Sequence, residues 1–405
     1  MKRSRPIFLF FMINILFCMA ANFAHPVTPT LIQQRNFGDY MFGVALASMM
    51  TANFLFSPFW GKLAGWVSSR KVMLICAWGY AIGQIMFGFA ATERMLVLAR
   101  MFAGIFTGGI FTAFLTYLVN TSPLEERGQN LTVAATIQTV ASAFGYFVGG
   151  MLGEIGTSIA IGAQVVLLAA CGILFYLVCA DDAKDELEAN NLKTLVKEAN
   201  PFAAFLAGKQ ILTTALATIL LVTALANLGN SGFDQSFNYY LKAQLGLSPG
   251  YNGTIKAFIG LICLAANATV GMWLINKTDI RRSSIYVYLL CTLAMLGVVL
   301  VDAAVPFILA NVVYFGFFAI SVPLAQSLVA DNAQAKDSNL VMGYYNGLKS
   351  LGSIFGSLAA GLLYTLNPKL PFVLGLIAFA FATLAAAHYY RLSTLRSPAV
   401  DSLEQ

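Results

Sequence analysis

Val72-Met-Leu-Ile-Cys-Ala-Trp-Gly-Tyr-Ala-Ile-Gly-Gln-Ile-Met-Phe-Gly-Phe-Ala-Ala91 carries no charged residue over its whole length. At about 1.5 Å of helical rise per residue, such a run crosses the ~30 Å hydrocarbon core of a bilayer once. Ser158–Ala180 and Leu370–Tyr390 are free of charge in the same way. Working outward from these three, the 405 residues divide into twelve apolar segments: 6–33, 41–66, 72–91, 94–120, 129–153, 158–180, 207–242, 250–276, 283–302, 304–331, 338–366 and 369–391. Composition agrees: 59% of the chain is hydrophobic and 10% is charged, against roughly 25% charged in a soluble domain. The expectation is an all-α integral membrane protein of twelve transmembrane helices. The connections are too short to house a soluble catalytic or nucleotide-binding domain.

The net charge of +6 is accounted for by orientation rather than by nucleic acid. With an even number of spans both termini share one side. Seventeen of the 24 basic residues fall on that side, and only Arg35, Arg94, Lys242 and Lys369 fall on the other. This positive-inside bias predicts both termini in the cytoplasm and the chain in the cytoplasmic membrane. The remaining three, Arg100, Lys256 and Lys349, lie inside apolar segments. The basic start and first apolar run read as a span, because no A-x-A cleavage site follows. All six cysteines fall inside spans without metal-type spacing and read as packing residues; no metal or cofactor is expected.

The longest polar stretch, DDAKDELEANNLKTLVKEAN at Asp181–Asn200, reads as a surface amphipathic helix. It divides the chain into an N-terminal bundle (1–180), a cytoplasmic linker (181–204) and a C-terminal bundle (205–405). Internal repetition supports two parallel six-helix repeats. Gly145-Tyr-Phe-Val-Gly149-Gly150 recurs as Gly356-Ser-Leu-Ala-Ala360-Gly361, Leu98-Ala99-Arg100 as Leu309-Ala310-Asn311, and Arg70-Lys71 as Arg281-Arg282, all at an offset of 211.

At these residues the chain resembles the major facilitator superfamily, and more narrowly its drug/proton antiporter branch. The turn Gly61-Lys-Leu63-Ala-Gly65-Trp-Val-Ser68-Ser-Arg70-Lys71 is similar to that superfamily's G-x-L-x-D-R-x-G-R-[RK] signature. It keeps Gly61, Leu63 and, in the final [RK] position, Arg70, followed by Lys71, and it has Gly65, Trp66, Ser68 and Ser69 where the signature has Asp, Arg, Gly and Arg. Loss of the acid removes one side of the signature's usual charge lock. Arg100 and Gly104 match R-x-x-x-G in span 4. Gly145, Gly149 and Gly150 match the antiporter signature G-P-x-x-G-G, with Tyr146 replacing proline. The resemblance implies two pseudo-symmetric six-helix bundles in which spans 3, 6, 9 and 12 face lipid and the others surround a cavity.

A charge at bilayer depth costs at least ~2.5–3.5 kcal/mol, so it faces water, a partner or a substrate. The embedded set is Arg100, Asp234, Lys256 and Lys349, and none of the four lies in span 3, 6, 9 or 12. Asp234 is the only acid well inside a span. Asn227, Asn230, Asp234 and Asn238 are spaced to share one helix face, which would line water. Burial disfavours the charged form of a carboxylate, as a proton carrier requires. By resemblance to span 7 of the antiporters, Asp234 is the coupling residue, and Phe233, Phe237, Asn230 and Asn238 contact substrate. The alternative is a fixed ion pair with Lys256 or Lys349. Arg100, sharing a face with Gly104 and Gly108, either projects into the cavity and assists proton relay or hydrogen-bonds backbone carbonyls. Lys256, on a face with Gly260, Cys263 and Asn267, and Lys349, grouped with Tyr345 and Gly352, give the cavity a formal excess of positive charge. That favours an anionic or zwitterionic substrate, unless one lysine neutralises Asp234 and the other snorkels outward.

Small residues at Gly145, Gly149, Gly150, Gly352, Gly356 and Gly361 would let spans 5 and 8, and spans 2 and 11, approach closely. His25 with Pro26 and Pro29 breaks span 1, as a capped kink or a titratable gate. Two histidines and no Ser/His/Asp set, metal cluster or P-loop argue against an enzyme. The reading that follows is a monomeric secondary transporter exchanging protons for an amphipathic compound. Uptake or exchange of an organic anion is the alternative, and a passive facilitator a weaker one.

Overall fold

The computed structural model describes residues 5–123, 125–182, 199–202, 212–332 and 338–401. Each of the twelve apolar segments is helical over most of its described length, the seventh starting at Thr214 rather than at 207. They are α1 (Arg5–Ala21), α2 (Thr28–Gln34), α3 (Met41–Val67), α4 (Ser69–Phe89), α5 (Glu93–Thr121), α6 (Arg127–Ile155), α7 (Thr157–Val178), α8 (Thr214–Ala243), α9 (Pro249–Ala266), α10 (Met272–Lys277), α11 (Ile280–Leu300), α12 (Ala304–Asp331), α13 (Ser338–Leu366) and α14 (Leu370–Asp401). Among the described residues ten helices are long and apolar enough to cross a bilayer, with a shorter apolar helix at Pro6–Ala21. The amphipathic linker helix expected within 181–204 falls almost wholly outside the described residues.

Two departures from straight spans have local causes. Span 1 breaks between α1 and α2, where Pro26 and Pro29 remove backbone donors. The Asn22 amide closes the end of α1 by donating to the Cys18 carbonyl (2.8 Å) and ties it to α6 by donating to Ser142 Oγ (3.0 Å). Irregular backbone at membrane depth needs such substitutes. Span 8, expected as one helix, is interrupted by a π turn at Asn267–Gly271 between α9 and α10. The wider turn shifts the register of the residues that follow it, and Asn267 is its first residue.

The chain forms two compact units. The first holds Met1–Ala203 and Asn238–Gly260, the second Ala204–Phe237 and Leu261–Gln405. In the first, α5 packs against α3 and α4, α4 against α7, and α1 against α6 and α7. Its centre is aromatic: Phe114 of α5 meets Phe10 at 5.6 Å, Phe17 at 5.4 Å and Phe175 at 5.1 Å, edge-on or tilted as ring quadrupoles prefer. In the second, α11 packs against α12 and α14, and α13 against α12 and α14.

Between lipid-solvated helices hydrophobicity gives no net attraction, and close backbone approach takes its place. A Cβ on Gly104 would stand 2.2 Å from the Met49 carbonyl oxygen of α3, one on Gly145 2.3 Å from that of Met19, and one on Gly149 2.3 Å from that of Phe23. Gly150 lies against Pro249 and Gly253, so spans 5 and 8 meet as expected. Within the second unit Gly352 and Gly356 face the Ala224 and Leu228 carbonyls of span 7, at 2.4 and 2.1 Å from a would-be Cβ. Glycine spacing shows that a face is smooth, and the neighbouring backbone decides which helix uses it. Gly361 is buried one turn further on.

The exposed side chains confirm the solvent. Ile75, Trp78, Ile82, Ile85 and Phe89 form an exposed stripe at helical spacing on α4, and Tyr286, Leu289, Leu293, Leu296 and Leu300 another on α11. Such apolar stripes fit lipid, not water.

Candidate functional site

In the second unit, the polar face of α8 is narrower than its spacing predicts. Asn227 turns back on its own helix, its amide donating to the Thr223 carbonyl at 2.8 Å. Asn230 Oδ1 accepts from the Tyr314 hydroxyl at 3.0 Å. Asp234 is half-buried about two-thirds of the way along the helix, and its Oδ2 accepts from Gln235 Nε2 at 3.1 Å. Phe233 and Phe237, expected against substrate, are fully buried. Phe233 packs on Tyr314 (4.2 Å between ring centroids), Phe372 and Phe315, and Phe237 on Phe315 and Phe307. In this conformation they are core: they occupy the inward face of α8, and other rings already fill their contacts. Ser231 and Ser357 hydroxyls, 2.6 Å apart, fasten α8 to α13 beside them.

Lys349 of α13 is exposed in the middle of an apolar helix, and among the described residues no hydrogen bond or ion pair holds it. An ammonium so placed is solvated by water or by a bound anion. Tyr345, one turn before it, is buried.

The first unit holds the other embedded residues. Lys256 is buried on α9. Arg100, expected either in a cavity or on backbone carbonyls, is 5% exposed. Its guanidinium lies 3.7 Å over the Phe87 ring and donates to Thr28 Oγ1 at 3.3 Å. A desolvated cation over an aromatic face gains about 2 kcal/mol, and only the weakly hydrated, planar guanidinium combines stacking with sideways donation. Arg100 thus braces the broken span 1 from behind. Gly104 and Gly108, on the same face of α5, admit α3 rather than solvent.

Asn238, assigned by spacing to the water-lining face, is buried in this unit. Its amide donates to the His25 carbonyl at 3.1 Å and its oxygen accepts from Asn252 at 2.6 Å. Pro29 removes the i+4 donor of that carbonyl, leaving a long bond from the Thr28 amide (3.3 Å), and Asn238 adds a second donor. Around it the ends of α8 and α9 are sewn to the N-terminal helices. Tyr239 donates to Asp39 Oδ1 at 2.5 Å and stacks on Phe42, while Glu154 caps α9 by accepting from the Gly250 amide at 2.7 Å. Tyr146, standing where the antiporter signature has proline, stacks on the His25 ring at 5.3 Å. With tyrosine in place of proline, α6 keeps its backbone donor at this position, and the ring packs on the break in span 1.

The turn between α3 and α4 is locked by residues its own sequence does not contain. Asp182, just past α7, is buried and accepts from Ser69 N (2.7 Å), Ser69 Oγ (2.6 Å), Ser68 Oγ (3.3 Å) and Asn120 Nδ2 (3.1 Å). Arg70 pairs with Asp181 beside it. The signature turn, which has no acid at position 65, is thus bound instead by the Asp-Asp pair that opens the linker. Two adjacent acids directly after span 6 were the available signal, hidden in a polar stretch read as linker. Ser68, in the signature's glycine position, has φ 110°. Gly61 packs on Thr112 of α5, and Lys71 lies exposed in the first turn of α4.

The sequence profile of the Major Facilitator Superfamily matches residues 10–317 and 300–405. Multidrug resistance protein 2 of Bacillus subtilis (strain 168) is 21% identical over 385 residues, covering 92% of this chain and 93% of its own. The class H tetracycline resistance protein of Pasteurella multocida is 23% identical over 410 residues, covering 96% and 98%. Among solved structures, a bacterial homologue of the human lysosomal transporter Spinster superposes with a TM-score of 0.74 at 13% identity, covering 97% of this chain and 98% of that one. Broken and glycine-packed membrane helices, a signature turn locked from span 6 and a family match along nearly the whole length converge, and the chain belongs to the Major Facilitator Superfamily.

Proposed function

We propose that this multi-pass transporter expels amphipathic compounds in exchange for protons. The observation that carries this reading is Asp234, a half-buried acid about two-thirds of the way along the 30-residue apolar helix α8. Protonation removes a charge that costs ~2.5–3.5 kcal/mol at that depth. The proton therefore changes the relative stability of states that bury or expose Asp234, which is the requirement for coupling. Likeness along the whole chain to proteins named for multidrug and tetracycline resistance supports efflux of amphipathic molecules. In this reading Asn230, Tyr345 and Lys349 face substrate, Arg100 positions span 1, and Lys256 serves the binding site. The halves 1–180 and 205–405 alternate about the linker, as one monomer in the cytoplasmic membrane with both termini inside.

Purified protein in liposomes with an imposed pH gradient tests the proposal. Wild type should accumulate a fluorescent amphipathic cation against its gradient, whereas Asp234→Asn should retain counterflow exchange and lose proton-driven accumulation. Undiminished accumulation by Asp234→Asn would remove Asp234 from coupling.

Exposed Lys349 favours a second reading, exchange of an organic anion. Stabilisation by carboxylates rather than by cations, abolished in Lys349→Gln, would select it.

A further inference from the structure

The ends of α2, α4 and α7 farthest from the N-terminus enclose a cavity of about 450 Å³ within the first unit. Ile85 and Phe89 of α4 and Ile161 and Val166 of α7 form apolar walls, and Gln34, Arg35 and Thr157 form one polar end. The walls continue into membrane-facing surface: Phe89 is 75% and Val166 70% exposed. The cavity therefore opens sideways toward acyl chains.

Its polar end is built. Arg35 donates from Nη2 to the Gly88 carbonyl at 2.9 Å and from Nη1 to the Ala90 carbonyl at 3.1 Å. These are the terminal carbonyls of α4, where the helix dipole is negative, so the guanidinium is held in place at the rim. A guanidinium carries five N–H donors, and among the described residues no carboxylate pairs with Arg35. Thr157 Oγ1 donates to Gln34 Oε1 at 3.3 Å, joining α7 to α2 across the same end.

We propose that this groove is a binding site for an anionic glycerophospholipid, with one acyl chain between α4 and α7 and the phosphodiester on Arg35. Bulk lipid tails are as apolar as the groove, so the walls contribute shape and little selectivity. Selection comes from the fixed positive charge, worth about fivefold in affinity for one basic residue near the membrane surface.

The test uses the full chain in detergent with phosphatidylglycerol and phosphatidylcholine of identical acyl chains, reading retained lipid by native mass spectrometry. Wild type should retain phosphatidylglycerol about fivefold better, and Arg35→Gln should retain the two equally. Because Arg35 also ties down the end of α4, a second variant is needed. A Cβ on Gly162 meets nothing within 4 Å, so Gly162→Phe should fold, fill the groove and lose lipid of both kinds. Equal retention of both lipids by wild type, a preference that survives in Arg35→Gln, or full retention by Gly162→Phe would each overturn the proposal.

Discussion

Ser68 shows how one side chain carries two opposing terms. Its φ of 110° is a conformation in which a non-glycine residue stores roughly 1–3 kcal/mol. Its hydroxyl reaches Asp182 only at 3.3 Å, while Ser69 already satisfies that carboxylate through both its amide and its hydroxyl. Strain outweighs the weak bond, so Ser68→Gly should stabilise the protein by about 1 kcal/mol, allowing for glycine's entropy cost. A thermal-unfolding midpoint that stays put or falls would reverse that ranking. Arg100 is a comparable case. Its presence in span 4 marks a buried cation, but only the positions of Phe87 and Thr28 turn it from a cavity charge into a brace.

At the scale of elements, α8 and α13 are joined through Gly352 and Gly356. A side chain at Gly356 would press on backbone, which cannot rotate away. Gly356→Leu should therefore destabilise the protein by more than the ~1–3 kcal/mol typical of overpacking, read as a lower unfolding midpoint, and abolish transport. Gly128→Ala is the control, because a Cβ there meets nothing within 4 Å, and it should change neither. The repeat relating Gly145–Gly150 to Gly356–Gly361 was legible in the sequence. The partner helices were not, because spacing defines a face and says nothing of its neighbour.

Across the whole molecule, the first unit includes residues 238–260, far from its other members in sequence. The Tyr239–Asp39 bond, the Asn238–His25 bond and the Glu154 cap hold this segment. We expect these contacts to open during transport, since carriers of this fold work by alternating access. Tyr239→Phe keeps the stacking on Phe42 and removes one charge-assisted hydrogen bond, worth about 1.5–3 kcal/mol. Amide exchange at residues 238–253 should accelerate at least tenfold, with α4 unchanged. Unaltered protection would show that the other two contacts suffice.

The sequence by itself determined the solvent, the helices and the family. Charge scarcity and run length follow from the cost of burying charges and unpaired backbone in hydrocarbon, and a composition cannot evade that cost. It also isolated Asp234, because an acid in an apolar span is visible without knowing its neighbours. The tertiary structure alone decided that Phe233 and Phe237 are buried among other rings, that Asn238 bonds the His25 carbonyl at the break in span 1, and that Asp182 holds a turn more than a hundred residues earlier. Each of these depends on which ring or polar group lies within contact distance, about 3 Å for a hydrogen bond, and that distance is fixed by packing between segments remote in the chain.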